Sequence, residues 1–206
     1  MTISRRSAAT ALSAAALLAA TAGVAHAGPP WTISIGGSST GTPVPFTATS
    51  GTIEWTVPGM NLTCDSGTAE GTIHPGPTSG PAAIVTSTTF NGCMFPLGME
   101  LSVVQASDWN VNLTGDNSGG VTPGEITNVN ASVSDADGLC SFDVTGSVAS
   151  SFDENTQQLT ADNTGSPTNL LVSDVNGCFG LVLAGDPLTF SATYDVDQVA
   201  AVTITN

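Results

Sequence analysis

Between Leu188 and Asp197 apolar and polar residues alternate without a break: Leu188, Phe190, Ala192, Tyr194 and Val196 hold one set of positions, and Thr189, Ser191, Thr193, Asp195 and Asp197 the other. Successive side chains of an extended strand point to opposite faces, whereas a helix would smear this pattern around its circumference. The stretch therefore reads as a strand with one apolar and one wetted face, as in an antiparallel sheet packed on one side. The same period recurs in Ile53, Trp55 and Val57 against Thr52, Glu54 and Thr56, and in Trp109, Val111 and Leu113 against Asn110, Asn112 and Thr114. Further strand segments are Trp31 to Ile35, Gly67 to Ile73, Ala82 to Phe90, Leu101 to Ala106, Ile126 to Val133, Phe142 to Val148, Leu159 to Asp162, Leu170 to Val175 and Val199 to Thr205, punctuated by Gly, Pro, Asn and Asp. Many short strands and no helical period beyond the first residues predict an all-β fold, an antiparallel β-sandwich.

Met1 to Ala27 has the parts of a secretory signal peptide. Arg5 and Arg6 form a positive start, Ala8 to Ala22 an apolar middle, and Ala25-His26-Ala27 a small-residue cleavage site. The expected product is secreted, extracellular or associated with the cell surface. Cleavage removes both basic residues and leaves all 17 Asp and Glu. A chain without Lys or Arg cannot neutralise phosphates and release their counterions, which excludes nucleic acid and disfavours anionic membranes. Ion pairs to lysine or arginine are equally impossible, so the fold rests on burial, backbone hydrogen bonds and disulfides. The one-sided charge disperses the copies at neutral pH, while carboxylate protonation near about pH 4 favours self-association.

Four cysteines in an exported chain read as two disulfides, with three connectivities open. Cys64 with Cys93 and Cys140 with Cys178 are favoured, because each pair closes one copy of an internal repeat. Phe90-Asn91-Gly92-Cys93-Met94 is echoed by Val175-Asn176-Gly177-Cys178-Phe179, Leu62-Thr63-Cys64 by Leu139-Cys140, and the segment from Gly98 to Val103 by that from Gly185 to Phe190. Two related halves follow. Gly115-Asp116-Asn117-Ser118-Gly119-Gly120 between them reads as a hairpin turn that places both halves in one sheet, making residues 28–206 a single β-sandwich domain. The alternative takes it as a linker between two Ig-like halves, 28–115 and 121–206.

In chain order, the signal peptide, Leu62-Thr63-Cys64, Asn91-Gly92-Cys93, Trp109-Asn110-Val111, the run from Val121 to Ile126, Cys140, Asn176-Gly177-Cys178 and Asp186-Pro187-Leu188-Thr189-Phe190 resemble a group of uncharacterised secreted actinobacterial proteins. The paired Asn-Gly-Cys pattern is similar to the exported alkane-oxidation activator family. The resemblance implies a secreted β protein and carries over no catalytic residue.

Catalytic patterns are present only in broken form. Gly37-Ser38-Ser39-Thr40-Gly41 matches G-x-S-x-G, but Pro43 and Pro45 follow where a nucleophile elbow opens a helix. Gly115 to Gly120 resembles a serine-protease Gly-Asp-Ser-Gly-Gly with Asn117 inserted, which spoils the aim of the serine. His74, the one histidine beyond the signal, sits in Ile73-His74-Pro75-Gly76-Pro77 and reads as a loop residue. Among the carboxylates, Asp135-x-Asp137, Asp153-Glu154 and Asp195-x-Asp197 are the close groupings. Asp195 and Asp197 share the wetted face of their strand, where charge discourages edge aggregation. Asp135-Ala136-Asp137-Gly138 resembles the opening of a calcium loop, but the later ligands do not follow, and an Asp-Gly turn is the default. No cofactor, metal site or catalytic residue is expected. The reading is a non-catalytic protein with an interaction or structural role, or one that binds an uncharged or apolar ligand. Its alternatives are a carboxylate-pair glycoside hydrolase and a calcium-dependent carbohydrate-binding module.

Overall fold

The computed structural model describes residues 30–58, 60–95, 98–164, 169–197 and 200–206. The signal segment Met1 to Ala27, with Arg5 and Arg6, lies outside the described residues. The strands are β1 Trp31–Ile35, β2 Val44–Ser50, β3 Ile53–Val57, β4 Met60–Cys64, β5 Ser66–Ile73, β6 Gly76–Thr78, β7 Ala83–Asn91, β8 Cys93–Phe95, β9 Met99–Gln105, β10 Trp109–Leu113, β11 Val121–Asp135, β12 Cys140–Asp153, β13 Gln158–Asp162, β14 Asn169–Gly177, β15 Thr189–Asp197 and β16 Val202–Thr205. A short 3-10 turn, Cys178–Gly180, follows β14.

All pairings are antiparallel, and the layers of the sandwich are joined so that pairing closes on itself. Strand β11 pairs with β12, β12 with β13, β13 with β15, β15 with β2, β2 with β5, β5 with β7, β7 with β10, and β10 again with β11. Closure leaves these eight strands without the exposed edges that make open sheets aggregate, while β14 pairs with β12 alone. The long strands carry the wall onward. Past a register shift between Ile126 and Val129, β11 leaves β10 and pairs with β9, from which β8, β4 and β3 lead back to β15. A bulge bends a strand and lets it change partners, and here Asn128 takes a positive φ of 60° while its amide donates to the Asp108 carbonyl at 2.7 Å.

Alternation decides what the wall encloses. Phe46, Ala48, Ala69, Val111, Ile126, Val148, Ala161, Ala192 and Tyr194 are buried, while Thr47, Thr49, Glu70, Thr193 and Asp195 face out. Apolar inside and polar outside is the reverse of a membrane-spanning barrel, whose outer band is apolar. Buried apolar residues from Trp31 to Ile204, drawn from both halves, form one cluster. Strands β10 and β11 pair across the Gly115 to Gly120 loop as a hairpin, Leu113 opposite Gly124.

One small sheet stands apart. β1 pairs with β16 on one side and β6 on the other, and it covers one end of the wall. Side-chain bonds in both directions hold it there: the Trp31 indole of β1 donates to the Gly115 carbonyl at 3.0 Å, and Asn117 of the β10–β11 loop donates to the Ile204 carbonyl at 3.0 Å. The Ile204 N–H donates to a Glu154 carboxylate oxygen at 2.9 Å, and Gln157 both accepts from the Val202 N–H and donates to the Val202 carbonyl. The free edge of β16 is thus met by side chains instead of another strand.

Candidate functional site

Both disulfides form with the expected pairing, Cys64 to Cys93 and Cys140 to Cys178. They lie in the half away from the small sheet, since Cys93 pairs with Leu101, Leu101 with Asp135, and Cys140 opens the far end of β12. All four sulfurs belong to buried residues and none is a free thiol, so they serve as cross-links. The two Asn-Gly-Cys copies begin alike and then diverge. Gly92 and Gly177 both take a left-handed backbone, with φ of 61° and 74°. After Cys93 the chain continues as β8, whereas after Gly177 it turns, with Cys178 and Phe179 themselves at φ of 58° and 55°. A Cβ at position 177 would collide with the Leu139 carbonyl, the same oxygen that accepts the Cys178 N–H at 2.9 Å.

That turn brings out what the sequence did not single out. Phe179 is 63% exposed and Leu183 58% exposed, and Leu181 between them is exposed as well, while Val182 is buried and pins the segment down. Leu139, joined to Cys178 by the backbone bond, and Leu171, bridged to Pro187, are also exposed. The loop after β14 folds back on that strand through Val172 N–H to the Asp186 carbonyl at 3.0 Å and Gly185 N–H to the Val172 carbonyl at 2.8 Å. The Asp186 carboxylate accepts the Leu183 N–H at 2.8 Å. Exposed apolar residues scattered singly need no account, but a phenylalanine and leucines gathered on one braced loop and its anchor points do. The signal was available in Phe179-Gly180-Leu181-Val182-Leu183, an apolar run without strand alternation in a chain poor in aromatics.

The other candidate groups do not converge. Among the described residues no hydrogen bond joins Ser39 to His74, whose backbone N–H bonds the Ala82 carbonyl. The Gly115 to Gly120 loop holds the small sheet, with Asn117 also accepting the Gly120 N–H. Asp135 is buried, and its two oxygens accept the N–H groups of Asp137 and Cys140 at 2.9 and 2.6 Å. That is a closed Asp turn, and among the described residues no group of three or more His, Cys, Asp or Glu could hold a metal. Asp195 accepts from Gln158 at 2.8 Å. Asp197 lies in register with Thr47, and Thr47 with Glu70, along an open outer groove. The two carboxylates are thus about two strand spacings, roughly 10 Å, apart, but both are exposed.

Among the described residues two titrating groups are clearly perturbed. Burial pushes the Tyr194 phenol up, so it stays protonated. The Asn155 backbone N–H holds the Asp153 carboxyl below the ordinary value, against a smaller opposing effect of desolvation.

Comparison with protein-family models, with curated proteins and with solved structures finds no match for this chain. Among the described residues no helix is long and apolar enough to cross a membrane, and two disulfides are compatible with an oxidising, extracellular setting.

Proposed function

We propose that this is a secreted, non-catalytic protein that attaches to an uncharged apolar surface, such as a hydrocarbon or neutral-lipid interface, through the loop bearing Phe179, Leu181 and Leu183. The observation that carries the reading is this exposed apolar loop, braced by the Cys140–Cys178 disulfide and the buried Val182. Charge selects the partner. Beyond residue 27 the chain has carboxylates but no Lys or Arg, so an anionic surface would repel it, and a second copy would bring the same excess of negative charge. An uncharged surface imposes neither penalty.

The test is adsorption of residues 28–206 to hexadecane droplets in water. Withdrawing two large apolar side chains from a half-covered contact forfeits about 1 kcal/mol or more each, so Phe179→Ser with Leu183→Ser should weaken adsorption at least tenfold. Met94→Ser with Val104→Ser, at exposed apolar positions elsewhere, should leave it unchanged. Equal adsorption by the wild type and the loop variant, both folded by circular dichroism, refutes the proposal.

A further inference from the structure

Cavities lie in a row inside the wall, beginning with one of about 10 Å³ against Trp55, Val57 and Phe142. The middle one, about 40 Å³, is lined by Trp55, Thr88, Tyr194, Ala161, Phe46 and Leu159 among others. The next, about 60 Å³, lies under the small sheet against Ile33, Val202 and Ile204, and it shares Phe46 and Leu159 with the first as common walls. An eight-stranded wall encloses either a filled core or room for one small ligand. Here the filling is incomplete along the axis.

Two residues that line the middle cavity also carry unmet polar groups. The Trp55 indole N–H and the Thr88 hydroxyl are buried without a hydrogen-bond partner among the described residues. The chain's other two tryptophans have one, Trp31 at the Gly115 carbonyl and Trp109 at the Asn130 carbonyl. Ser50, Gln105, Thr122 and Ser150 also hold unpartnered buried atoms, but none of them lines either axial cavity. Leaving a buried donor unmet costs about 1 to 3 kcal/mol, so its presence at a cavity wall points to an occupant. A water there would meet at most the two groups of Trp55 and Thr88, the low end of the two to four polar partners that hold buried waters, and the remaining lining is almost wholly carbon. An indole N–H only donates, which asks the occupant for an acceptor.

We propose that the interior binds one small apolar molecule bearing a single hydrogen-bond acceptor, a ketone or an ester, in the cavity that Trp55 and Thr88 line, with its carbon skeleton directed toward Phe46 and Leu159. Rotation of the Phe46 and Leu159 side chains would join the two cavities, about 40 and 60 Å³, into a space that must still widen toward the roughly 150 Å³ that accepts benzene in an apolar core. The site is separate from the exposed Phe179 loop, and either can fail without the other.

The experiment titrates residues 28–206 with cyclohexanone and with methylcyclohexane, similar in shape but lacking the acceptor, and follows tryptophan fluorescence and thermal midpoint. Cyclohexanone should bind about tenfold more tightly than the hydrocarbon, the worth of one hydrogen bond in a dry site. Trp55→Phe with Thr88→Val should abolish that preference while hydrocarbon binding remains. Ala161→Met, which fills the middle cavity, should abolish binding of both. If the double variant does not fold, Thr88→Val alone should still narrow the preference. The proposal is overturned if neither probe binds the wild type, or if the ketone keeps its full advantage in the variants that lack the donors.

Discussion

Asn163 offers a sharp test of how the wall is joined. It is 2% exposed, and it extends the pairing of β13 with β15 by one residue using its side chain. Its backbone N–H donates to the Phe190 carbonyl at 3.2 Å, its Oδ1 accepts the Phe190 N–H at 2.6 Å, and its Nδ2 donates to the Leu188 carbonyl at 3.3 Å. Asn163→Ala would strand one backbone donor and one acceptor in the interior, each at about 1 to 3 kcal/mol, so the loss of stability should be about 2 to 6 kcal/mol. For a chain of this size each kcal/mol moves the thermal midpoint by about 2 to 4 °C, which places a loss of 3 kcal/mol at roughly 6 to 12 °C. Urea unfolding followed by tryptophan fluorescence measures it, with the slope against denaturant unchanged because the same surface is exposed. Asn163→Asp adds a control in which the sign of the pH response is fixed. An ionised carboxylate faces the Leu188 carbonyl with an acceptor, while the protonated form can donate, so this variant should gain stability relative to wild type as pH falls. A loss below about 1 kcal/mol for Asn163→Ala at an unchanged slope would show that the backbone groups are met in some other way, and the reasoning would fail.

Two further outcomes follow from the covalent and acidic features. Cys140→Ala with Cys178→Ala opens a loop spanning 38 residues, worth about 4 kcal/mol in the chain-entropy model, so the thermal midpoint should fall by roughly 8 to 16 °C; hydrogen exchange should then quicken first around Phe179 to Leu183. The folded Asp153 carboxyl titrates below its unfolded value because the Asn155 N–H stabilises the anion. Its contribution is therefore present above about pH 4 and lost as pH falls through the folded value, and Asp153→Asn should remove that part of the acid sensitivity in an unfolding titration.

The alternation of Ile53 to Val57 and Trp109 to Leu113 marked β3 and β10 to the residue, because one face is buried and the other polar and half-buried or exposed along their whole length. Strand β2 was not among the expected strands, since Pro43 and Pro45 bracket Val44 at its start, yet Pro45 sits at the rim of the strand and faces out, where a missing N–H is harmless. Strands β4, β6 and β8 were also missed, being short and next to Pro, Gly or Cys. Strands β11 and β12 run well beyond Ile126 to Val133 and Phe142 to Val148, since Gly124, Gly146 and the bulge near Asn128 interrupt the period while leaving the backbone extended. Strand β16 begins at Val202, and Val199, where the expected segment starts, lies outside the described residues. Closure of the wall had no local signature, because it depends on which strands meet across distant sequence. The same holds for the site features. The four cysteines announced themselves, but the missing partner of Trp55 and the outward turn of Phe179 are properties of surroundings assembled from the whole chain.

The small sheet ties access to local opening. Trp31–Ile35 and Val202–Thr205, far apart in the chain, pair directly and cover the cavity end that Phe46 and Leu159 wall off. With Gln157 and Glu154 gripping Val202 and Ile204, a molecule held in the interior would exchange only as fast as β16 lifts from its neighbours.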